Sequence, residues 1–121
     1  MTTHKTIAIV DDDEGVRTSL SNLLRSFGYD VETYSSGVEF LDKGRDKGAD
    51  CIITDVQMPL MRGDELQSRL IQTGSTTPMI FMTAFPTDAI RGRVMEAGAR
   101  AFLEKPAETD LLLRYIEDAV A

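Results

Sequence analysis

Cysteine is almost missing from this chain: Cys51 is the only one in 121 residues, so no intrachain disulfide frames the fold. Long apolar runs are missing too, and none approaches the roughly 18 residues of a membrane span. The start, Met1-Thr2-Thr3-His4-Lys5, lacks a signal-peptide core, because Ile7 to Val10 runs straight into three aspartates. The expected compartment is therefore the cytoplasm. Positive charge is scarce as well. Lys+Arg number 13 against 20 Asp+Glu, a formal net charge of −7, which argues against direct binding of nucleic acid or an anionic membrane by this segment. What remains, 42% hydrophobic and 27% charged with no low-complexity stretch, fits one globular domain over residues 1–121, large enough to bury a core without staples.

Short apolar runs alternate with longer segments of helical period, the pattern of a parallel sheet with crossover helices. The runs are Thr6-Ile7-Ala8-Ile9-Val10, Val31-Glu32-Thr33-Tyr34, Cys51-Ile52-Ile53-Thr54, Met79-Ile80-Phe81-Met82 and Ala101-Phe102-Leu103. The second alternates apolar and polar residues, as a half-exposed edge strand does. Between them, Val16, Leu20, Leu23, Leu24 and Phe27 mark a first helix closed by Gly28, and Ser36-Gly37-Val38-Glu39 has the spacing of a capping box opening a second. Leu66, Leu70 and Ile71 mark a third helix, Ile90, Val94, Met95 and Ala97 a fourth closed by Gly98, and Leu112, Ile116 and Ala119 a fifth. Five βα units with right-handed crossovers predict an α/β, flavodoxin-like, doubly wound (βα)5 fold with strand order 2-1-3-4-5.

That order gathers the strand ends. Asp11 and Asp12 follow the first strand, Asp55 the third, Thr83 the fourth and Lys105 the fifth. Each alone reads as a turn or cap residue; together at successive ends of a parallel sheet they read as a site. Three clustered carboxylates repel one another, and a hard divalent cation bound through oxygen keeps them ionised. Mg²⁺ fits, with two carboxylates, a backbone carbonyl, a phosphoryl oxygen and waters completing its shell. One aspartate is then left as a nucleophile for a phosphoryl group, with Lys105 and Mg²⁺ supplying positive charge and the Thr83 hydroxyl a hydrogen bond. Asp13 reads as the cap of the first helix, Cys51 as a small apolar filler, and His4 as a frayed residue with no partner.

The segments Ile9-Val10-Asp11-Asp12-Asp13, Thr54-Asp55-Val56-Gln57-Met58-Pro59, Met82-Thr83-Ala84, Gly98-Ala99 and Phe102-Leu103-Glu104-Lys105-Pro106 resemble the receiver domain of two-component response regulators, over nearly the whole chain. Among these the chain looks most similar to regulators with a helix-turn-helix output domain. The resemblance implies that Asp55 is the phosphoacceptor, that Asp12 and Asp55 bind Mg²⁺ directly and Asp11 through water, and that the backbone carbonyl of Gln57 is the third protein ligand. It implies that Thr83 and Phe102 form the switch, Phe102 rotating inward as Thr83 moves, and that Lys105 pairs with the phosphoryl group and precedes Pro106 in a cis peptide. Phe102 departs from the tyrosine of many members, and Phe85 is bulkier than expected beside the site, where it would shield the phosphoryl group from water.

The implied partner is a sensor histidine kinase, with no enzymatic role beyond self-catalysed phosphorylation and dephosphorylation. A phosphorylation-dependent homodimer is expected through the face made by the fourth helix, fifth strand and fifth helix, where Leu111, Leu112, Leu113, Tyr115 and Ile116 form an apolar arc wider than one core stripe needs. Two rival readings stand beside this one. The first is a phosphorylation-independent binding scaffold. The second is a haloacid-dehalogenase-like phosphohydrolase built on the Asp11-x-Asp13 pair, which would leave Asp55 without a purpose.

Overall fold

A computed structural model describes residues 4–44 and 47–121. The reading of Met1 to Thr3 as lacking a leader lies outside those residues. The five apolar runs form strands β1 (Thr6–Val10), β2 (Asp30–Tyr34), β3 (Cys51–Asp55), β4 (Met79–Thr83) and β5 (Ala101–Glu104). They pair in parallel in the order β2-β1-β3-β4-β5, with β1 and β3 adjacent through Ile7↔Cys51 to Val10↔Thr54. The alternation of connections and the expected order are both borne out.

The helices are α1 (Glu14–Ser26), α2 (Gly37–Glu39), α3 (Gly63–Gln72), α4 (Asp88–Glu96) and α5 (Thr109–Val120), with α2 running into a π-helical turn over Phe40–Gly44. Asp13 caps α1, its Oδ1 accepting from the Val16 N–H at 3.0 Å, as read from the sequence. Gly28 takes φ 92° past the end of α1, where the Tyr29 N–H reaches back to the Leu24 carbonyl, a turn that a Cβ would strain. The capping box of α2 is only half made. Ser36 Oγ accepts from the Glu39 N–H at 3.0 Å, but the Glu39 carboxylate returns to the N–H of Ser35, one residue short of the expected partner.

Successive strand residues point to opposite faces, so the sheet carries a core on each side. Ala8, Val10, Ile52, Phe81 and Phe102 pack with Leu66, Leu70, Ile90 and Val94 of α3 and α4. Ile7, Ile9, Ile53, Ile80 and Leu103 pack with Leu24 of α1 and Leu112, Leu113 and Ile116 of α5. Burial of each such side chain stabilises by about 1.5–3 kcal/mol.

Four expectations need correction. Strand β2 is a half-exposed edge strand as expected, but its apolar and polar residues do not alternate between faces: Val31 joins the α1 and α5 core and Tyr34 the opposite one, with Glu32 and Thr33 exposed. Ile71 and Met95 are exposed and are not core positions of their helices. The apolar arc of α5 is mostly consumed by the core, since Leu112, Leu113 and Ile116 are buried and only Leu111 of the five is exposed. His4 is not without a partner, its Nδ1 standing 3.7 Å from the Asp30 carboxylate on the exposed start of β2.

Candidate functional site

Parallel topology delivers Asp11, Asp55, Thr83 and Lys105 to one edge of the sheet, and the backbone fixes each one. Asp11 continues the β1–β2 ladder by donating its N–H to the Tyr34 carbonyl at 3.1 Å, while its own carbonyl accepts from Arg17 at 2.8 Å. Its Oδ1 accepts from the Asp13 N–H at 2.9 Å, leaving Oδ2 turned to the site. Asp55 ends β3, and its Oδ1 accepts from the Gln57 N–H at 3.3 Å. Asp11, Asp12 and Asp55 each present a carboxylate oxygen to one cluster, all within 4.8 Å of one another. Asp11 and Asp55 are buried and Asp12 is exposed, so the cluster opens to solvent on one side.

Lys105 answers two of the three carboxylates. Its ammonium donates to Asp11 Oδ2 at 2.7 Å and to Asp55 Oδ2 at 3.0 Å. Burial alone would favour the neutral amine, but the hydrogen bonds and charges of Asp11 and Asp55 outweigh it and hold the Lys105 pKa above its ordinary value. Burial pushes the Asp55 carboxyl up, the Lys105 hydrogen bond and charge oppose that, and the Asp11 charge adds to the rise. Three hard oxygen donors with one lysine as counter-charge suit an oxygen-loving divalent cation. Thiolate and imidazole ligands, which would favour a softer metal, are missing from this cluster.

Thr83 ends β4 fully buried. Its hydroxyl donates to Gln57 Oε1 at 2.5 Å and accepts from the Phe85 N–H at 3.1 Å. Phe102 is 5% exposed, and the Arg91 guanidinium of α4 lies 4.8 Å from its ring centroid. The ring is thus covered by α4. Lys105-Pro106 is a cis peptide. Phe85 is 72% exposed beside Thr83.

Three features of this edge escaped sequence reading. The Gln57 side chain, and not only its carbonyl, belongs to the site. In the loop after β3, Leu60 takes φ 71° and the Met61 N–H donates to the Pro59 carbonyl at 2.8 Å, a tight three-residue turn with Leu60 90% exposed at its tip. Gly63 opens α3 so close to the loop after β3 that a Cβ there would lie 2.1 Å from the Asp55 carbonyl oxygen. Its only sequence signal is a glycine where the loop meets the helix.

The response regulator receiver domain model matches residues 7–117. The transcriptional regulatory protein FixJ of Bradyrhizobium diazoefficiens is 38% identical over 120 residues, 99% of this chain and 58% of that protein. FixJ of Azorhizobium caulinodans is 40% identical over 110 residues, covering 91% of this chain and 52% of that one. The crystal structure of FixJ-N superposes with a TM-score of 0.89 at 34% identity, over 98% of this chain and 95% of that chain. The chain spans about half the length of the curated relatives it matches. With both faces of the sheet, the carboxylate cluster and the lysine placed as described, the chain belongs to the response regulator receiver domain family.

Proposed function

We propose that this receiver domain works in the cytoplasm, where it accepts a phosphoryl group on Asp55 from a sensor histidine kinase and so switches the output of a response regulator. The observation that carries the reading is the convergence of Asp11, Asp12 and Asp55 within 4.8 Å, with the Lys105 ammonium bound to two of them. Asp11, Asp12 and Asp55, with the Gln57 carbonyl, would hold Mg²⁺, which when bound supplies positive charge to the carboxylates and the phosphoryl oxygens.

An Asp55 oxygen forms the new O–P bond as the donor's bond to phosphorus breaks, and the departing group keeps the electron pair. Lys105 exchanges its carboxylate contact for a phosphoryl oxygen, and Thr83 donates its hydroxyl to another. Hydrolysis of the acyl phosphate returns Asp55 to its starting state. A groove of about 570 Å³ lined by Val16, Leu20, Leu23, Pro106 and Leu112 opens beside Lys105 and offers an apolar seat for the phosphodonor protein.

The names of the FixJ relatives describe transcriptional regulatory proteins, which supports a transcriptional output carried elsewhere than in this acidic segment. The phosphohydrolase reading loses its motif, because Asp13 is engaged as the α1 cap. The scaffold reading differs in needing neither metal nor phosphoryl group. With acetyl phosphate and Mg²⁺, intact mass should rise by one phosphoryl group in the parent and not in Asp55→Asn or after chelation of Mg²⁺. Asp12→Ala should weaken Mg²⁺ binding in a titration. Equal Mg²⁺ affinity in Asp12→Ala and the parent would remove Asp12 from the metal site, and no uptake by the parent would favour the scaffold.

A further inference from the structure

Thr83 has one hydroxyl proton, and it is committed. Its side chain is fully buried at the end of β4, and the hydroxyl gives its proton to Gln57 Oε1 at 2.5 Å while the Phe85 N–H occupies one of its lone pairs. A hydroxyl donates one hydrogen bond at a time. The same proton therefore cannot reach a phosphoryl oxygen on Asp55 until the bond to Gln57 breaks.

Gln57 is exposed, so no burial obliges its side chain to hold this position. Its backbone N–H donates to Asp55 Oδ1 at 3.3 Å, which anchors the base of the side chain to the phosphoacceptor while its amide end holds the hydroxyl of β4. Asparagine, one methylene shorter, would not span the same gap, and lysine or arginine offers no acceptor at all. Of the two polar contacts to this hydroxyl, only the one with the Gln57 amide takes up its proton.

We infer that the Gln57 side chain is a latch on the Thr83 hydroxyl: it stabilises the resting state and sets how readily phosphorylation of Asp55 is converted into movement at the end of β4. The inference rests on Asp55 being the phosphoacceptor and deepens that reading by naming the residue that regulates it. The Gln57 side chain acts through Thr83 and is a positioning group, whereas the part of this residue at the metal belongs to its backbone carbonyl.

The test is a double-mutant cycle in Mg²⁺ and beryllofluoride, a phosphoryl mimic, read from backbone amide shifts by NMR. Gln57→Ala should bind the mimic about two- to tenfold more tightly than the parent, the range expected for one net hydrogen bond lost from the resting state. In a Thr83→Val background, which keeps shape and removes the hydroxyl, Gln57→Ala should change the affinity little. An equal effect of Gln57→Ala in both backgrounds, or none in the parent, overturns the latch.

A second measurement needs no metal and no mimic. In Mg²⁺-free protein, three-bond couplings to the Thr83 methyl should report one χ1 rotamer in the parent and averaged rotamers in Gln57→Ala. The same single rotamer in both overturns the latch. If the parent fails to bind the mimic at all, the phosphoacceptor reading is what fails, and the couplings still judge the contact between Gln57 and Thr83.

Discussion

Gly63 holds Asp55 in place by having no side chain. Its N–H donates to the Val56 carbonyl at 2.9 Å, and a Cβ would meet the Asp55 carbonyl oxygen at 2.1 Å and the Val56 Cα at 3.1 Å. These are backbone atoms, so a larger residue moves the Asp55 loop and not a flexible tip. Gly63→Ala should destabilise the fold by about 1–3 kcal/mol, the usual cost of overpacking, and weaken Mg²⁺ binding as Asp55 shifts. Urea unfolding and a Mg²⁺ titration check both parts, and a variant with parent values in each would show that the loop yields without cost. Other residues behave as their type alone implies. Cys51 is buried in β3, and burial pushes its thiol up to about 12, so it packs and does not react. Asp11, Asp55, Thr83 and Lys105 were legible because each is a polar residue interrupting or following an apolar run, and a parallel sheet must bring such ends together. The role of the Gln57 side chain and that of Gly63 were not, because one depends on a bond to a residue 26 positions away and the other on the approach of two backbones.

Among the elements, α4 carries a glycine in its interior. Gly92 lies inside Asp88–Glu96 with nothing within 4 Å of the place a Cβ would occupy, so no close packing requires glycine there. On one side of it Arg91 covers the Phe102 ring of β5; on the other, Arg93 pairs with Asp64 at 3.1 Å and the Val94 carbonyl accepts from Gln67 at 3.0 Å, both partners in α3. Glycine inside a helix costs roughly 0.5–1 kcal/mol relative to alanine. Gly92→Ala should therefore raise stability by about that much, visible as a higher urea midpoint with an unchanged slope. A lower midpoint would mean that the helix bends at Gly92 in a way that alanine opposes. Helix existence was legible from the spacing of apolar residues, and the termini from Asp13, Gly28 and Gly98. Which apolar residues face out was not. The heptad-like spacing that marks Leu70 and Val94 as core also admits Ile71 and Met95, and only the neighbouring helix decides that these two stay exposed.

For the whole molecule, the expected homodimer through α4, β5 and α5 has less apolar surface than the sequence implied, since Leu112, Leu113 and Ile116 are spent on the core. What that face exposes is Leu111, Met95 and the Arg91 guanidinium over Phe102. An interface of this mixed character should be weak in the resting state, and sedimentation with a beryllofluoride mimic should reveal dimers only in its presence. Monomers under both conditions well above micromolar concentration would end that expectation for this segment. The strand order was legible because right-handed crossovers leave few alternatives for five βα units, and it is the strand order that puts Asp55 between Asp11 and Lys105. The most direct test of the account is to locate the phosphoryl group itself. After treatment with acetyl phosphate and Mg²⁺, borohydride reduction converts an aspartyl phosphate to homoserine, which peptide mass spectrometry can place. Homoserine at position 55 alone is the expected result. Homoserine at position 11 or 12, or none anywhere in a chain that has taken up phosphate, would contradict it.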